Sequence, residues 1–517
     1  MLLRADREVE RNMVGPQAPN ILGSAPIADY QLLISAERPE APSTYRVADV
    51  GGLWLASDEK LPITVLIGQQ GERVGLVVGF AYSALHGDFL EPGEIVWPQV
   101  IDDVAALETN VLPLLSGLYV FITLGEFPLR LYMDHGGSLP IVYSPADHRA
   151  ASSTALLFDE ADYRARFRKD LHEALIGREG AGGWISGTLT AHRGVERVLP
   201  NHYLDLTSWT AHRFWPRRGD FDEWRPFEPS VVAAAKALAD FSAAANRRFR
   251  VAATMTAGFD SRLLLASCRA SLSDCQFFTL EAPNAEMDIH VSRAIAARFG
   301  LRHQVLPLRG ASEEEMAIWD RMVGDCMIEA PRRTHTTLRD LADRDAVFTG
   351  MYGEVGRCRL YRQDLNEINE TRIDPKFIVD RLTLPANREL IENIALWFDG
   401  LAGQPNSVVL DLAFHELKFG SWAMGQRPIS NSIKLNFLPF AQRPVLDAFL
   451  GVAPAEKGTD ALFSAIINEL WPELLVVPIN KYGDARDYLT LWKKLSNPSR
   501  VRRFLRDRLA RKAPSTA

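Results

Sequence analysis

The sequence predicts a protein of mixed α/β and α+β class, in which an antiparallel sheet unit precedes a parallel sheet unit. Three observations predict this class. Short apolar or alternating segments, separated by Gly, Pro and Asp, fill residues 28–150. After residue 225, helical periodicity alternates with buried-strand runs. Between one such strand and the next helix lies the segment "TMTAGFDSR" (254–262), whose composition suits a phosphate group.

Length and composition restrict the class of protein. The 517 residues are too many for one ordinary core, and about 150 residues per domain would give two to four units, of which we prefer two. The apolar share of 47% and the charged share of 24% are those of an ordinary soluble protein rather than a disordered or fibrous one. The net charge of -7 argues against a nucleic-acid partner.

The cysteines and the N-terminus predict a cytoplasmic location. The four cysteines (268, 275, 326 and 358) form no CxxC pair, which argues against a disulfide framework and against a zinc site. No apolar run is long enough to cross a bilayer, so we expect no membrane partner. The opening "MLLRADREVERNM" carries charges where a signal peptide needs its apolar core.

The first predicted unit covers residues 28–215, after a flexible leader at 1–27. Its strands are predicted from "DYQLLIS", "ITVLIG", "RVGLVVGFAYS", "LYVFITLG", "LRLYMD" and "PIVYS", with helices at 100–116 and 159–176. "RVLPNHYLDL" and "HRFWP" predict a further strand pair. Together these segments predict a mostly antiparallel sheet.

The second predicted unit covers residues 225–495. The helical pattern "SVVAAAKALADFSAAANRRF" is followed by the strand-like runs "FRVAATMT", "CQFFTLE", "HQVLPL" and "AVFTG". This rhythm predicts a parallel sheet covered on both faces. Residues 360–450 are predicted to be mainly helical, and the chain has no internal repeat.

The segment at 254–262 has the parts of a phosphate-binding loop. Ligands of open parallel sheets lie at the carboxyl ends of strands, where a turn enters a helix. Gly258 permits close backbone approach, and Thr256 and Ser261 supply hydroxyls. Asp260 suits this place if it binds Mg²⁺ that bridges phosphate oxygens. The alternative is an ordinary turn in which Asp260 and Ser261 cap the helix.

Other nucleotide and metal motifs are absent from the sequence or incomplete. Neither GxxxxGK[ST] nor GxGxxG occurs. "HEALI" at 172 and "HELKF" at 415 each lack the second His of a zincin, so we interpret both as helical coincidences.

"MTAGFDSRLLLA" resembles the SGGxDS signature of the PP-loop ATP pyrophosphatases, in particular the synthetase domain of the asparagine synthetase and β-lactam synthetase family. "VFTGMYGEVGR" resembles the second glycine-acid loop of that family, GxGGDE, and "WPELLVVPINKYGDA" its late lysine loop. Two further segments occur in the family's order. They are "QFFTLEAPNAEMDIHVSRAIAARFGLRHQVLPL" and "NFLPFAQRPVLDAFLGVAPAEK". In the N-terminal half, "LSGLYVFITLGEFPLRLYMDHGGSLPIVYS" and "AASSTALL" are similar to the family's glutaminase-type sandwich.

This resemblance spans most of residues 28–490. It implies an Ntn-type β-sandwich followed by a Rossmann-like PP-loop domain with a helical C-terminal part. It also implies ATP and Mg²⁺, because in this family a substrate carboxylate attacks the α-phosphorus of ATP. The products are an acyl-adenylate and pyrophosphate, and ammonia or an amine then displaces AMP.

The resemblance also implies roles for individual residues. Lys481 corresponds to the late lysine that stabilises the adenylation transition state. Asp260 and Glu354 correspond to the two metal-binding acids, and Ala257 replaces the first glycine of SGG. The implied ATP and pyrophosphate contacts are Thr256, Ala257, Gly258, Asp260, Ser261, Gly353 and Lys457, with Thr279 and Leu280 beside adenine.

The glutaminase-type half departs from its family at the nucleophile. A working glutaminase of this kind needs a cysteine at position 2, and here position 2 is Leu, with no cysteine before Cys268. We therefore expect no ammonia release from glutamine. β-Lactam synthetases and lasso-peptide cyclases share this departure and use a Tyr–Glu pair; Tyr352 and Glu416 are candidates, although nothing in the sequence pairs them.

The leading hypothesis is an AMP-forming amide synthetase with a degenerate glutaminase domain. A cyclase that forms a macrolactam or a β-lactam is the alternative within the class, and a non-catalytic nucleotide-binding or scaffold protein is the alternative outside it. A homodimer or a pathway-enzyme partner stays open. The basic segment "RVRRFLRDRLARK", within 496–517, predicts a helix that either packs on its own domain or docks an acidic partner. Its apolar side would consist of Val501, Phe504, Leu505 and Leu509.

Overall fold

The computed structural model describes residues 28–176, 183–328 and 336–488. These ranges contain two largely antiparallel sheets and one parallel sheet, with many helices. The expectation of a mixed α/β protein is confirmed at this level, and the four domain boundaries stay predictions. The leader at 1–27 and the basic segment with Val501, Phe504, Leu505 and Leu509 lie outside the described residues.

The first sheet is antiparallel throughout. Its strands are β1 (Leu32–Ser35), β2 (Tyr45–Val50), β3 (Leu53–Asp58), β10 (Val142–Ser144), β11 (Arg149–Ala151) and β12 (Glu196–Arg197). Their order in the sheet is β12-β10-β11-β1-β3-β2.

The second sheet has the order β14-β13-β9-β8-β5-β4-β7, with β6 paired to β5. Only the pair β4–β7 is parallel. The central strand β8 is buried at every position, which explains its continuous apolar run. Its strands are β4 (Ile63–Ile67), β5 (Arg73–Ser83), β6 (Asp88–Phe89), β7 (Gly93–Val96), β8 (Leu115–Thr123), β9 (Arg130–Met133), β13 (His202–Asp205) and β14 (Thr210–Arg213).

The third sheet is parallel and carries the candidate site. Its strands are β15 (Val251–Thr254), β16 (Gln276–Glu281), β17 (His303–Pro307), β18 (Ala346–Phe348) and β19 (Leu435–Phe437), in the order β17-β16-β15-β18-β19. The four strands predicted from the sequence are present. The fifth, β19, was missed because three residues within a mainly helical span give no strand pattern.

Helices surround these sheets and dominate the chain after residue 360. The predicted spans 100–116 and 159–176 hold the short helices Val104–Asn110, Glu160–Arg166 and Lys169–Leu175. The remaining helices include Phe227–Arg248, Phe259–Ser267, Glu286–Phe299, Glu313–Met322, Pro375–Arg381, Arg388–Asp399, Asn406–Leu412, the π-helix Ala413–Ala423, Arg427–Ile433, Arg443–Gly451, Pro454–Gly458 and Ala461–Leu470.

Short 3₁₀ turns connect many of these elements. They are Leu112–Leu114, Thr154–Leu156, Arg269–Ser271, Leu338–Asp340, Gly353–Arg357 and Pro472–Val476. None of the helices in the described ranges is both long and apolar enough to span a membrane.

Candidate nucleotide-binding site

Two loops lie together at one edge of the parallel sheet. The first loop (255–261) consists of the turn after β15 and the start of the helix Phe259–Ser267, and the second loop (349–357) follows β18. Strands β15 and β18 are parallel neighbours, so their carboxyl ends are adjacent. This edge is where open α/β sheets bind their ligands.

Hydroxyl groups fix the shape of the first loop. The Oγ1 of Thr256 lies 2.7 Å from the Oγ of Ser261, which also accepts the backbone N–H of Thr256 at 3.0 Å. The backbone N–H of Ala257 donates to Asp288 Oδ1 at 2.9 Å. The loop is therefore preorganised by its own polar side chains and by one carboxylate from the helix Glu286–Phe299.

The helix that starts within this loop has no side-chain cap. Gly258 occupies the N-cap position, so the sequence alternative of an Asp–Ser cap is not what the structure shows. Within the described part of the chain, the backbone N–H groups of Phe259, Asp260 and Ser261 have no acceptor. Free N–H groups at a helix start, together with the helix dipole, favour an anion such as phosphate.

The second loop packs directly on Asp260 through two glycines. A Cβ atom at Gly353 would lie 2.3 Å from Asp260 Oδ1, and one at Gly350 would lie 3.0 Å from Asp260 Cβ. Any other residue at position 353 would displace the carboxylate. Gly350 and Gly353 of "TGMYGEVG" are thus required by packing, because a side chain at either position would collide with Asp260.

Asp260 is a partly exposed acid with one buried, unpartnered oxygen. Its Oδ2 accepts a hydrogen bond from Arg357 Nη1 at 2.9 Å, whereas its buried Oδ1 has no hydrogen-bond partner in the described chain. Burial raises the pKa of Asp260 to about 6, although Arg357 opposes the rise; the carboxylate of Glu354 adds to it. Glu354 directly follows Gly353, the residue that packs on Asp260, so the two acids lie in the same part of the site.

These two acids fit a divalent cation that is shared with a ligand. The described residues contain no group of three or more His, Cys, Asp or Glu side chains that could hold a metal by themselves. Mg²⁺, however, is commonly bound by one or two carboxylates together with substrate phosphates. The unpartnered oxygen of Asp260, with Glu354 nearby, supplies that donor set.

The late lysine loop contacts the first loop. The backbone N–H of Asn480 donates to the carbonyl oxygen of Ala257 at 2.8 Å. Buried Arg262 donates to the carbonyl oxygens of Leu474 at 2.8 Å and Val477 at 2.9 Å. Lys481 follows Asn480 directly and is exposed. Sequence analysis did not single out Arg262, although a charged residue directly after the "DS" of the first loop was a visible signal.

Three residues expected to contact ATP have their side chains engaged or packed elsewhere. Lys457 is fully buried, and its Nζ donates to Asp411 Oδ2 at 2.7 Å and to the Phe449 carbonyl oxygen at 2.8 Å. The Thr279 hydroxyl lies 2.6 Å from the Met255 carbonyl oxygen, and Leu280 packs against a small apolar cluster. The structure thus gives the Lys457 ammonium no free position, and contacts to adenine would fall to backbone groups.

The structure does not join Tyr352 to Glu416. The Tyr352 hydroxyl donates to the carbonyl oxygen of Gly136 at 2.6 Å, and its ring meets the ring of His415 edge-on at 4.8 Å between centroids. Tyr352 is fully buried. It therefore ties the second loop to the N-terminal half of the protein.

Glu416 is likewise fully buried and holds other partners. It forms two hydrogen bonds with Arg213, at 2.7 and 2.6 Å, and accepts from Asn201 at 2.8 Å and Trp397 at 2.6 Å. All four of these bonds are structural contacts in the interior. We therefore leave the Tyr–Glu pair out of the proposed chemistry.

Comparisons with known proteins give no family. No protein-family model matches the chain, and no curated protein matches it. Among solved structures, it is similar to a glutamine-dependent NAD⁺ synthetase from Acinetobacter baumannii in complex with ADP, at 14% identity and a TM-score of 0.19. That match covers 40% of this chain and 38% of the other. An NAD⁺ synthetase from Burkholderia pseudomallei matches at 12% identity and a TM-score of 0.16, over 38% of this chain and 76% of that one. TM-scores this low support no statement about fold or activity.

Proposed function

We propose that this protein is an ATP-dependent amide synthetase that forms AMP and pyrophosphate. It would adenylate a carboxylate and transfer the acyl group to ammonia or an amine. One observation carries the proposal: three segments that are distant in the sequence meet at the first loop. These segments are the helix start with its free N–H groups, the glycines of the second loop around Asp260, and the loop that bears Lys481.

Each of these parts has a role in transferring an adenylyl group. The N–H groups of Phe259, Asp260 and Ser261 would bind phosphate oxygens of the departing pyrophosphate. Lys481 would stabilise the negative charge that develops as the carboxylate oxygen bonds to the α-phosphorus. Mg²⁺ held by Asp260 and Glu354 would supply further charge neutralisation.

The polar groups left without partners argue against a non-catalytic scaffold. A buried acceptor such as Asp260 Oδ1 costs free energy when it has no partner, about 1–3 kcal/mol. The exposed Lys481, which follows Asn480 in the late lysine loop, contributes little to folding. A protein that only served as a scaffold would gain stability by losing the unpartnered acceptor and would have no use for the lysine, whereas a nucleotide enzyme uses both.

In this proposal the N-terminal half is a degenerate Ntn-type sandwich and the C-terminal half a PP-loop domain. The chain has no cysteine before Cys268, and all four cysteines are buried. No thiol is therefore available as a glutaminase nucleophile. Because Tyr352 and Glu416 are engaged elsewhere, we propose coupling to a separate amine or ammonia rather than cyclisation.

The test is pyrophosphate release from MgATP in the presence of ammonium chloride and a panel of amino-acid and dicarboxylic-acid substrates. We expect release to depend on one class of carboxylate, and Asp260→Ala to lower it at least 100-fold, about 2.7 kcal/mol. Asp240→Ala, on an exposed helix face, is the matched control. A wild-type protein that binds no ATP would refute the proposal, and equal activity of Asp260→Ala would refute the role of that acid. Glutamine in place of ammonium should give no turnover.

A further inference from the structure

Arg357 is a cation at the centre of the proposed pyrophosphate site that the sequence analysis did not assign. Its Nη1 donates to Asp260 Oδ2 at 2.9 Å, and its Nε donates to Asp460 Oδ1 at 3.0 Å. Asp460 is also paired with Arg362. The guanidinium therefore joins the acid of the first loop to the acid that precedes the helix Ala461–Leu470.

The charges around the first loop require such a cation. Asp260, Glu354 and Asp460 place three carboxylates near the position proposed for a polyphosphate. Unpaired carboxylates would repel ATP, because like charges at short range in a partly buried site interact strongly. Arg357 is the guanidinium that touches Asp260 itself, so it neutralises the acid closest to the phosphate-binding N–H groups.

The guanidinium of Arg357 has capacity left for a ligand. Its Nη2 makes no hydrogen bond to the described residues, and its side chain is 16% exposed, so solvent reaches it. The rings of Phe259 and Phe463 lie 5.4 and 5.8 Å from its Cζ atom. These rings restrict where the planar group can move, and a planar guanidinium can bind two phosphate oxygens at once.

We propose that Arg357 binds the pyrophosphate moiety of ATP. In the free protein it neutralises Asp260. When MgATP binds, its donors contact oxygens of the β- and γ-phosphates, and Asp260 Oδ2 becomes available to the metal. This inference rests on the proposed function and adds a phosphate-binding residue to it.

The competing explanation is that Arg357 only ties the second loop to the helix Ala461–Leu470. Both explanations predict that Arg357→Gln lowers thermal stability. They differ for Asp460→Asn, which removes the negative charge of one partner of the guanidinium and leaves Arg357 itself in place. A structural tie predicts that both substitutions weaken ligand binding in proportion to lost stability, whereas a phosphate contact predicts weaker binding for Arg357→Gln alone.

The experiment is calorimetric titration of the full chain with inorganic pyrophosphate, with Mg²⁺ and separately with EDTA. We expect Arg357→Gln to bind pyrophosphate about 10- to 100-fold more weakly, as for the loss of a charge-assisted hydrogen bond, with a larger loss in EDTA. Arg357→Lys should lie between the two because it keeps the charge without the fork. Asp460→Asn should bind within about threefold of wild type.

Arg359→Gln is the matched control, since Arg359 is exposed and only two residues away. It should bind pyrophosphate like the wild type. Melting temperatures of all variants would report folding. Wild-type affinity in a folded Arg357→Gln, or an equal loss in Asp460→Asn, would overturn the assignment of Arg357 and leave the proposed function standing. If the wild type binds neither ATP nor pyrophosphate, the proposed function itself fails.

Discussion

Asp134 in the N-terminal half is a buried acid in a turn, whereas Asp260 in the parallel-sheet half is a partly exposed acid at the start of a helix, and their surroundings are opposite. Burial raises the pKa of each to about 6. Asp134 accepts three hydrogen bonds within its own turn, from Gly136 N at 3.0 Å and from the N and Oγ of Ser138 at 2.7 and 3.0 Å. Asp260 has one arginine partner and one unpartnered oxygen.

This difference distinguishes an acid that stabilises the fold from an acid that we propose binds a ligand. The turn that contains Asp134 is complete, and its Gly136 carbonyl oxygen is used to hold Tyr352 of the second loop. The loop that contains Asp260 keeps a carboxylate oxygen and the N–H groups of a helix start without partners in the described chain. Substitutions of buried acids whose carboxylate oxygens are hydrogen-bonded, such as Asp134, should therefore change stability. Substitutions in the first and second loops and at Lys481 should change nucleotide binding.

The largest expected effect is at Glu416, whose two buried carboxylate oxygens are both hydrogen-bonded. Glu416→Gln leaves Arg213 buried without its charge partner, which should lower the free energy of unfolding by about 4 kcal/mol. Glu389→Gln is the control, because Glu389 makes a similar two-bond pair with Arg168 but is partly exposed; it should cost less than about 1 kcal/mol. Urea unfolding measures both. A folded, equally stable Glu416→Gln that has lost only turnover would revive the cyclase alternative.

In the open site, Lys481→Met should leave stability unchanged and lower pyrophosphate release about 10²- to 10³-fold, or about 3–4 kcal/mol. Its side chain is exposed, so its removal leaves no cavity. Initial rates at saturating MgATP measure the effect. Lys236→Met, on an exposed helix face, is the control. A loss of stability without a loss of rate would mean that Lys481 stabilises the fold and takes no part in catalysis.

A pH experiment tests the structural role of Asp134. The pKa of Asp134 is raised from 3.8 to about 6, so the folded protein holds its proton more tightly than the unfolded chain does. The resulting stabilisation is complete below pH about 4 and is lost as pH rises through about 6, for a total of about 2–3 kcal/mol. The difference in unfolding free energy between wild type and Asp134→Asn should fall over that window. A difference that rises there would mean that the ionised form is the preferred one.

The smallest expected effect comes from a single methyl group. Gly353→Ala places a Cβ 2.3 Å from Asp260 Oδ1, so the carboxylate must move and MgATP affinity should fall about tenfold, roughly 1.4 kcal/mol. Gly310→Ala is the control, because no atom lies within 4 Å of its Cβ position. Fluorescence titration with a labelled ATP analogue measures both. Equal affinities would show that the second loop does not control Asp260.

The sequence predicted the parallel sheet and the first loop because both are local patterns. Strand, glycine, acid and helix occur within one short segment, and four of the five parallel strands have recognisable apolar runs. Prediction of the second loop and of Lys481 needed a resemblance to a family, since the segments that carry them contact the first loop from distant parts of the chain. These contacts exist only in the folded protein.

Three ion pairs between distant residues could not be predicted from the sequence. No local sequence pattern indicates that Lys457 forms an ion pair with Asp411, that Glu416 pairs with Arg213, or that Arg357 pairs with Asp260. A charged residue in a sequence carries no information on its partner when that partner is distant. Burial and pairing decide between a structural and a binding role, and both depend on tertiary packing.

The most direct test of the central claim is hydrogen–deuterium exchange of the full protein with and without MgATP. We predict slower exchange in peptides that cover 255–262, 349–357 and 477–482, because nucleotide would engage the free N–H groups and order the two loops around them. The peptide that covers 134–138 should exchange equally in both conditions, since its donors are already used. Protection of 134–138, or no protection at 255–262, would contradict the assignment of the first loop as the nucleotide site.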